Sequence, residues 1–272
     1  MIVALARAYQ KLPFSFLRIV EAPILQKKNT SEPFLLILLA LPRSGSTLAY
    51  QLITHCLQPL YLSNIWNTLY ATPLFGGLIS QKLCAGCRSA FYSRQGFVPG
   101  MCGPAEGLRF WSYWLDQGMD EIRARLKDKH KLDRRREYLK QALAVLTSRD
   151  FPFVSGYIGH ALFVRELQEI FPNALFIRLR RDPLSTAYSI LKLRQKQSGS
   201  HFSVFPGECQ AYVDSNIHRQ VAAQVYYLNK RIDDVYDPER TVNVSYEDLC
   251  SNPNRELQKV ISFCNVRGLS ME

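Results

Sequence analysis

Phe34-Leu-Leu-Ile-Leu-Leu-Ala-Leu-Pro-Arg-Ser-Gly-Ser-Thr47 sets eight apolar residues in a row directly against a short loop of proline, arginine, glycine and hydroxyl residues. A strand with one wet face alternates polar and apolar positions. A run with no polar position suits a strand covered on both faces, as in a parallel sheet. After the loop, Leu48, Leu52 and Cys56 recur every four residues, and this spacing predicts a helix with one apolar face. Strand, tight loop and helix in that order put the loop at the carboxyl end of a strand, where open α/β sheets bind their ligands.

The same alternation continues outward. Phe151 to Tyr157 suits a second strand, and Phe163, Leu167, Ile170 and Phe171 mark a helix stopped by Pro172. A third strand, Ala174 to Arg180, runs into Arg181-Asp-Pro183 and a helix carrying Leu184, Ala187 and Leu191 on one face. Residues from Val213 to Val235 have helical spacing, Thr241 to Val244 suits a short strand, and Leu257, Val260, Ile261 and Cys264 end the pattern with a helix. Strands alternating with helices predict an α/β fold, a parallel β-sheet flanked by helices on both faces in a three-layer, P-loop-like sandwich. The 272 residues, 47% of them hydrophobic, suffice for one domain over 1–272.

Residues 57–118, rich in Gly, Pro and aromatics, interrupt the pattern and read as an insertion forming the acceptor side of a cleft; its aromatic cluster at Phe110, Trp111, Tyr113 and Trp114 would suit stacking on a sugar ring or an apolar lipid, although aromatic residues in an insertion are more often core. Residues 119–148 read as a helix whose segment from Arg123 to Lys140 holds nine Lys and Arg. A solvated face accounts for most of that charge; an acidic-polymer patch is the alternative.

Thirty-four Lys and Arg against 23 Asp and Glu give a formal charge of +11, which favours an anionic partner. Seven irregularly spaced cysteines argue against a disulfide framework and for reduced thiols in a cytoplasmic chain. Cys84 and Cys87 form one C-x-x-C near Cys102, without the second ligand pair that zinc requires, so no metal is expected. The longest apolar run is far short of the roughly 20 residues that span a bilayer. Residues 1–32 form a basic N-terminal segment, and 1–26, with Arg7, Lys11 and Arg18, allow an amphipathic helix in peripheral contact with a membrane, although packing on the domain is the simpler expectation.

The loop Pro42 to Thr47 carries the first chemistry. Amides at a helix N-terminus favour a phosphate, Gly45 permits close approach, Ser44, Ser46 and Thr47 offer hydroxyls, and Arg43 offers a charged fork. The Lys of G-x-x-x-x-G-K-[ST], which reaches the terminal phosphates of a nucleoside triphosphate, is absent. The loop resembles the 5'-phosphosulfate-binding loop of the sulfotransferases that use 3'-phosphoadenosine-5'-phosphosulfate (PAPS), in which Lys or Arg opens a P-[KR]-S-G-[ST]-T element. Phe176-Ile-Arg-Leu-Arg-Arg-Asp-Pro-Leu-Ser-Thr-Ala-Tyr-Ser189 resembles that family's 3'-phosphate-binding segment, with Arg181 and Ser189 in the matching positions. Val244-Ser-Tyr-Glu-Asp-Leu249 is similar to the segment before its last helix, where the resemblance implies that Tyr246 contacts the adenine.

The resemblance implies a transferase that moves a sulfuryl group from PAPS to a hydroxyl or amine, leaving 3',5'-adenosine bisphosphate (PAP), without a metal. Of the basic Gly-rich end of the cytosolic relatives only Arg267-Gly268 has a counterpart, so either another element covers the 3'-phosphate or the chain resembles the carbohydrate and tyrosyl-protein branch, to which the reading leans; many relatives also place a Lys on the second strand, where this chain has none. The missing Lys leaves the base open. Glu106, beside an aromatic cluster that would raise its pKa, is favoured; His160, just after the second strand, is second. Expected partners are the donor and a hydroxyl-bearing acceptor, a glycan or lipid among them, and no nucleic acid. Two alternatives stand beside this reading: a non-catalytic protein binding polyanions or membrane surfaces on the same scaffold, and a nucleotide-dependent kinase.

Overall fold

The structure is a computed structural model that describes residues 14–26, 32–94, 96–119, 129–196 and 203–271. Five parallel strands, β1 (Leu35–Leu39), β2 (Leu60–Tyr61), β3 (Phe153–Ser155), β4 (Leu175–Arg180) and β5 (Thr241–Ser245), form one sheet in the order β2-β3-β1-β4-β5. In chain order the helices are α1 (Phe14–Gln26), α2 (Ser46–Leu57), α3 (Asn64–Thr68), α4 (Pro73–Cys84), α5 (Leu108–Leu115), α6 (Lys129–Leu146), α7 (Val164–Ile170), α8 (Pro183–Lys196), α9 (Ile217–Asp233), α10 (Tyr246–Ser251) and α11 (Pro253–Val266).

The central strand explains the apolar run. Leu35, Ile37 and Leu39 enter the core built with α5, α6 and α9, while Leu36, Leu38 and Ala40 enter the opposite core with α2 and α11. Each buried Leu contributes about 1.5–3 kcal/mol, so a polar residue anywhere in β1 would be costly. The order of strands reverses at β1, whose neighbours are β3 on one side and β4 on the other. Loops leaving β1 and β4 therefore meet at a switch point.

Two expectations need correction, and two open alternatives are decided. The region 57–118 is not wholly an insertion: β2 lies within it and pairs Leu60 with Phe153 as an edge strand, two residues being too short for a periodic signal. Of the two readings of its aromatic cluster, acceptor contact and core, the structure shows core. Phe110, Trp111 and Trp114 are fully buried, with Trp66 packed edge-on to Phe110 and Trp114 stacked on Tyr138, because the apolar face of α5 closes the core. The basic helix is described from Lys129 onward; Arg123, Arg125 and Lys127 lie outside the described residues, Lys129, Lys131 and Arg134 are exposed as a solvated face requires, and on its other side Arg135 donates to the Tyr113 carbonyl, Arg136 meets Asp133 and Glu166, and Lys140 pairs with Glu32. Finally, Cys84 and Cys102 are joined in a disulfide, so the inference of wholly reduced thiols, and the cytoplasmic argument drawn from it, falls.

The N-terminal segment is described from Phe14 onward; Arg7, Lys11 and the rest of residues 1–13 lie outside the described residues. Helix α1 docks on the domain. Its buried Glu21 accepts hydrogen bonds from the Phe75 amide at 2.9 Å and the Tyr138 hydroxyl at 2.6 Å, and Leu25 joins the core. Among the described residues, no helix is long and apolar enough to cross a membrane.

Candidate active site

A cavity of about 600 Å³ opens at the carboxyl ends of β1 and β4. Its floor is the loop 42–47, and the local geometry of that loop follows from three residues. Ser44 turns inward, its amide and hydroxyl both donating to the Leu41 carbonyl at 3.2 and 2.7 Å. Its hydroxyl is therefore committed to the loop, which corrects the expectation that it faces a ligand. Gly45, at φ 92°, is the N-cap of α2 and has no side chain to offer the first-turn amides. Those amides, with the Ser46 and Thr47 side chains, border the cavity and suit an anion. A Cβ on Gly45 would come within 2.2 Å of the Tyr246 ring, so glycine is required both by its backbone and by its neighbour.

The predicted residues Arg43, Arg181, Ser189 and Tyr246 meet on one side of this floor. Arg43 Nε donates to Ser189 Oγ at 3.2 Å, Arg181 Nη1 donates to the Arg43 carbonyl at 2.7 Å, and the Arg181 guanidinium lies over the Tyr246 ring, 4.5 Å from its centroid. Arg181 does not pair with its neighbour Asp182. The Asp182 carboxylate accepts from the Ser185 amide at 2.7 Å and caps α8, and this amide bond holds it below the usual carboxylate range. Arg181 Nε is buried without a hydrogen-bond partner, leaving donor capacity for a ligand.

One contributor escaped the sequence reading. Glu247 accepts from the Asp182 amide at 3.1 Å through Oε1 and from the Ser245 hydroxyl at 3.2 Å through Oε2, tying α10 to the loop that carries Arg181. Ser245 in turn caps α10 by accepting from the Asp248 amide. The segment Ser245 to Asp248 thus buttresses both loops at once.

Glu106 also lines the cavity. Among the described residues no ion pair engages it, and Arg109 is exposed. Burial alone pushes its carboxyl up to about 7. The flanking Tyr50 and Tyr157 feel its charge, yet their hydroxyls are spent on the carbonyls of Val154 and Gln117. A side chain added at Gly96 would come 3.5 Å from Glu106 Oε1 and 3.8 Å from Thr47 Oγ1, so the Gly96 backbone brings the insertion up to the gap between carboxylate and floor. Ser93, Gly96, Met119 and Ser203, also on the cavity wall, come from irregular segments that carry no sequence signal.

His160 is elsewhere. It is fully buried, with its ring nitrogens 2.9 Å from Ser155 Oγ and 3.0 Å from Gln117 Oε1, and its ring lies edge-on to Trp111. Burial drives its pKa down to about 3. The helical turn Ile158–Leu162 after β3 points Ile158, not His160, at the cavity, so the alternative base is a core residue.

Comparison with solved structures gives sulfotransferase STF9 from Mycobacterium avium at 18% identity and a TM-score of 0.51, covering 97% of this chain and 71% of that one. Sulfotransferase STF1 from Mycobacterium tuberculosis H37Rv follows at 15% identity and a TM-score of 0.50, covering 94% and 73%. At these identities the likeness shows a shared fold. No curated protein matches the chain. A family model described as the sulfotransferase family matches residues 35–270, nearly the whole sequence, and the chain belongs to that family.

Proposed function

We propose that the chain transfers a sulfuryl group from PAPS to the hydroxyl, or amine, of an acceptor. The observation that carries this reading is the meeting of Arg43, Arg181, Ser189 and Tyr246 at a cavity that Glu106 also lines. The donor supplies an activated sulfuryl group on a nucleotide that bears a separate 3'-phosphate. The α2 amides, Ser46, Thr47 and Arg43 bind its 5' end and spread the charge that develops on the leaving phosphate. Arg181, through its unpartnered Nε, and Ser189 bind the 3'-phosphate with charge-assisted bonds. Tyr246 holds Arg181 over its ring and borders the adenine side. Glu106, poised near neutrality, takes the acceptor proton. The acceptor enters along Ser93, Gly96 and Ser203, which border the cavity beside the carboxylate.

The test is calorimetric titration with PAP, without magnesium, against 5'-AMP as the matched reference. A charge-assisted bond is worth roughly 1.5–3 kcal/mol, so PAP binds at least tenfold more tightly than 5'-AMP, and Arg181→Ala removes the preference. Equal affinities would sink the 3'-phosphate reading. Magnesium-dependent binding of ATP in preference to PAP would point to a kinase instead, and PAP binding without transfer to any acceptor in a broad panel would point to a non-catalytic scaffold.

A further inference from the structure

Three sulfurs gather at the carboxyl end of α4. Cys84 ends the helix, is buried, and is bonded to Cys102. Cys87 is free and exposed. Its amide donates to the Cys84 carbonyl at 3.0 Å, forming a turn through Gly86, which adopts the left-handed conformation at φ 71°. Such a turn keeps its end Cα atoms within about 7 Å, the span that a disulfide bridges. The Cys87 and Cys102 sulfurs share one neighbour, the Leu83 carbonyl, at 4.0 and 3.6 Å. The Tyr61 hydroxyl donates to the Cys102 carbonyl at 2.8 Å and senses the Cys87 thiol, which sets that thiol beside the bonded pair from a second direction.

We infer that Cys84, Cys87 and Cys102 form a thiol–disulfide exchange site that latches the wall of the cavity. The Cys87 thiolate attacks Cys84 Sγ; the Cys84–Cys87 bond forms as the Cys84–Cys102 bond breaks, and Cys102 leaves with the electron pair. Cys102 then takes up the proton that Cys87 gave up, so the exchange needs no oxidant or reductant. The bond to Cys102 closes the loop 85–101, which brings Ser93 and Gly96 to the cavity. Inside that loop the Arg94 and Phe97 amides donate to each other's carbonyls, at 2.8 and 3.0 Å. Moving the bond to Cys87 opens the closed loop and restores its chain entropy. The donor residues Arg43, Arg181 and Ser189 lie outside the loop and keep their contacts. That the latched wall is the acceptor side rests on the function proposed above; the exchange itself does not.

The test is a non-reducing peptide map of the protein, alkylated at pH 6 either directly or after anaerobic incubation at pH 8.5. The expected result is Cys84–Cys102 with alkylated Cys87 before incubation, and after it a Cys84–Cys87 product that grows as alkylated Cys102 appears. Cys87→Ser abolishes the change. In Cys102→Ser, whose remaining pair is Cys84 and Cys87, hydrogen exchange at the Arg94 and Phe97 amides accelerates at least tenfold. An unchanged map at pH 8.5, or unchanged exchange at those two amides in Cys102→Ser, overturns the proposal. PAP affinity, measured in parallel, stays within twofold in both variants. Wild-type protein that fails to bind PAP would sink the donor reading and leave the thiol result standing.

Discussion

Among the described residues Glu106 has no ion-pair partner, and this has opposite consequences for stability and for chemistry. Because its folded pKa is raised, from 4.5 to about 7, the fold prefers the protonated acid. Between those two values the unfolded chain binds fewer protons than the folded one, so stability falls as pH rises through that window and then levels off. Glu106→Gln removes this penalty: its melting temperature exceeds that of the wild type at pH 8 and matches it at pH 4, as scanning calorimetry at the two values checks. Proton abstraction needs the carboxylate, so wild-type turnover climbs with pH to a plateau above about 7. The glutamine variant lowers kcat by roughly 10²- to 10⁴-fold and loses the climb. Turnover that keeps both its rate and its climb in Glu106→Gln would remove Glu106 from the chemistry. The same site yields a steric prediction. A methyl at Gly45 meets the Tyr246 ring at 2.2 Å, so Gly45→Ala displaces ring or loop and weakens PAP binding at least tenfold, as titration of the variant measures.

At the scale of elements, the turns that carry the proposed donor residues were legible because each of them is local. A strand, a loop and a helix start occupy consecutive residues, so the hydrophobic pattern placed 43–47 and 181–189 at strand ends, while the donor role of Arg181 and Ser189 came from the family resemblance and not from spacing. The buttress behind them was not legible. Glu247 reaches the Asp182 amide across 65 positions, and no periodicity reports such a contact. Glu247→Ala therefore loosens the Arg181 loop and lowers PAP affinity, while Tyr246 and the Ser245 cap hold α10; retained affinity in titration would show that the tie is dispensable. The aromatic cluster stayed open between acceptor contact and core for the converse reason. Trp111 and Trp114 lie in a Gly- and Pro-rich stretch without a clean period, and α5 presents them to β3 and α6, where long-range packing decides burial. Trp111→Ala should cost about 3–5 kcal/mol of stability. Its effect on PAP affinity should be small, since its ring faces Phe153 and His160 and not the cavity. Chemical denaturation and titration of the same variant separate the two quantities.

At the scale of the molecule, the residues proposed to hold the donor come from three distant stretches, 42–47, 181–189 and 246, attached to β1, β4 and β5. Those strands are neighbours in one sheet; the core on one face takes residues from all three, and the core on the other takes residues from β1 and β4. Unfolding any of the three strands dissolves the site, so PAP binds the folded chain and not the unfolded one. At a ligand concentration of 100 Kd this adds about 2.7 kcal/mol, and for a chain of this size each kcal/mol shifts the midpoint by about 2 °C. Saturating PAP should therefore raise the melting temperature by about 5 °C, and 5'-AMP at the same concentration by much less. Arg181→Ala, which is proposed to meet only the 3'-phosphate end, should bring the two shifts together, on a ligand-free midpoint lowered by the loss of the hydrogen bond to the Arg43 carbonyl and of the contact with the Tyr246 ring. An equal shift from both nucleotides in the wild-type protein would mean that the convergence of Arg181 and Ser189 serves the fold and not the ligand.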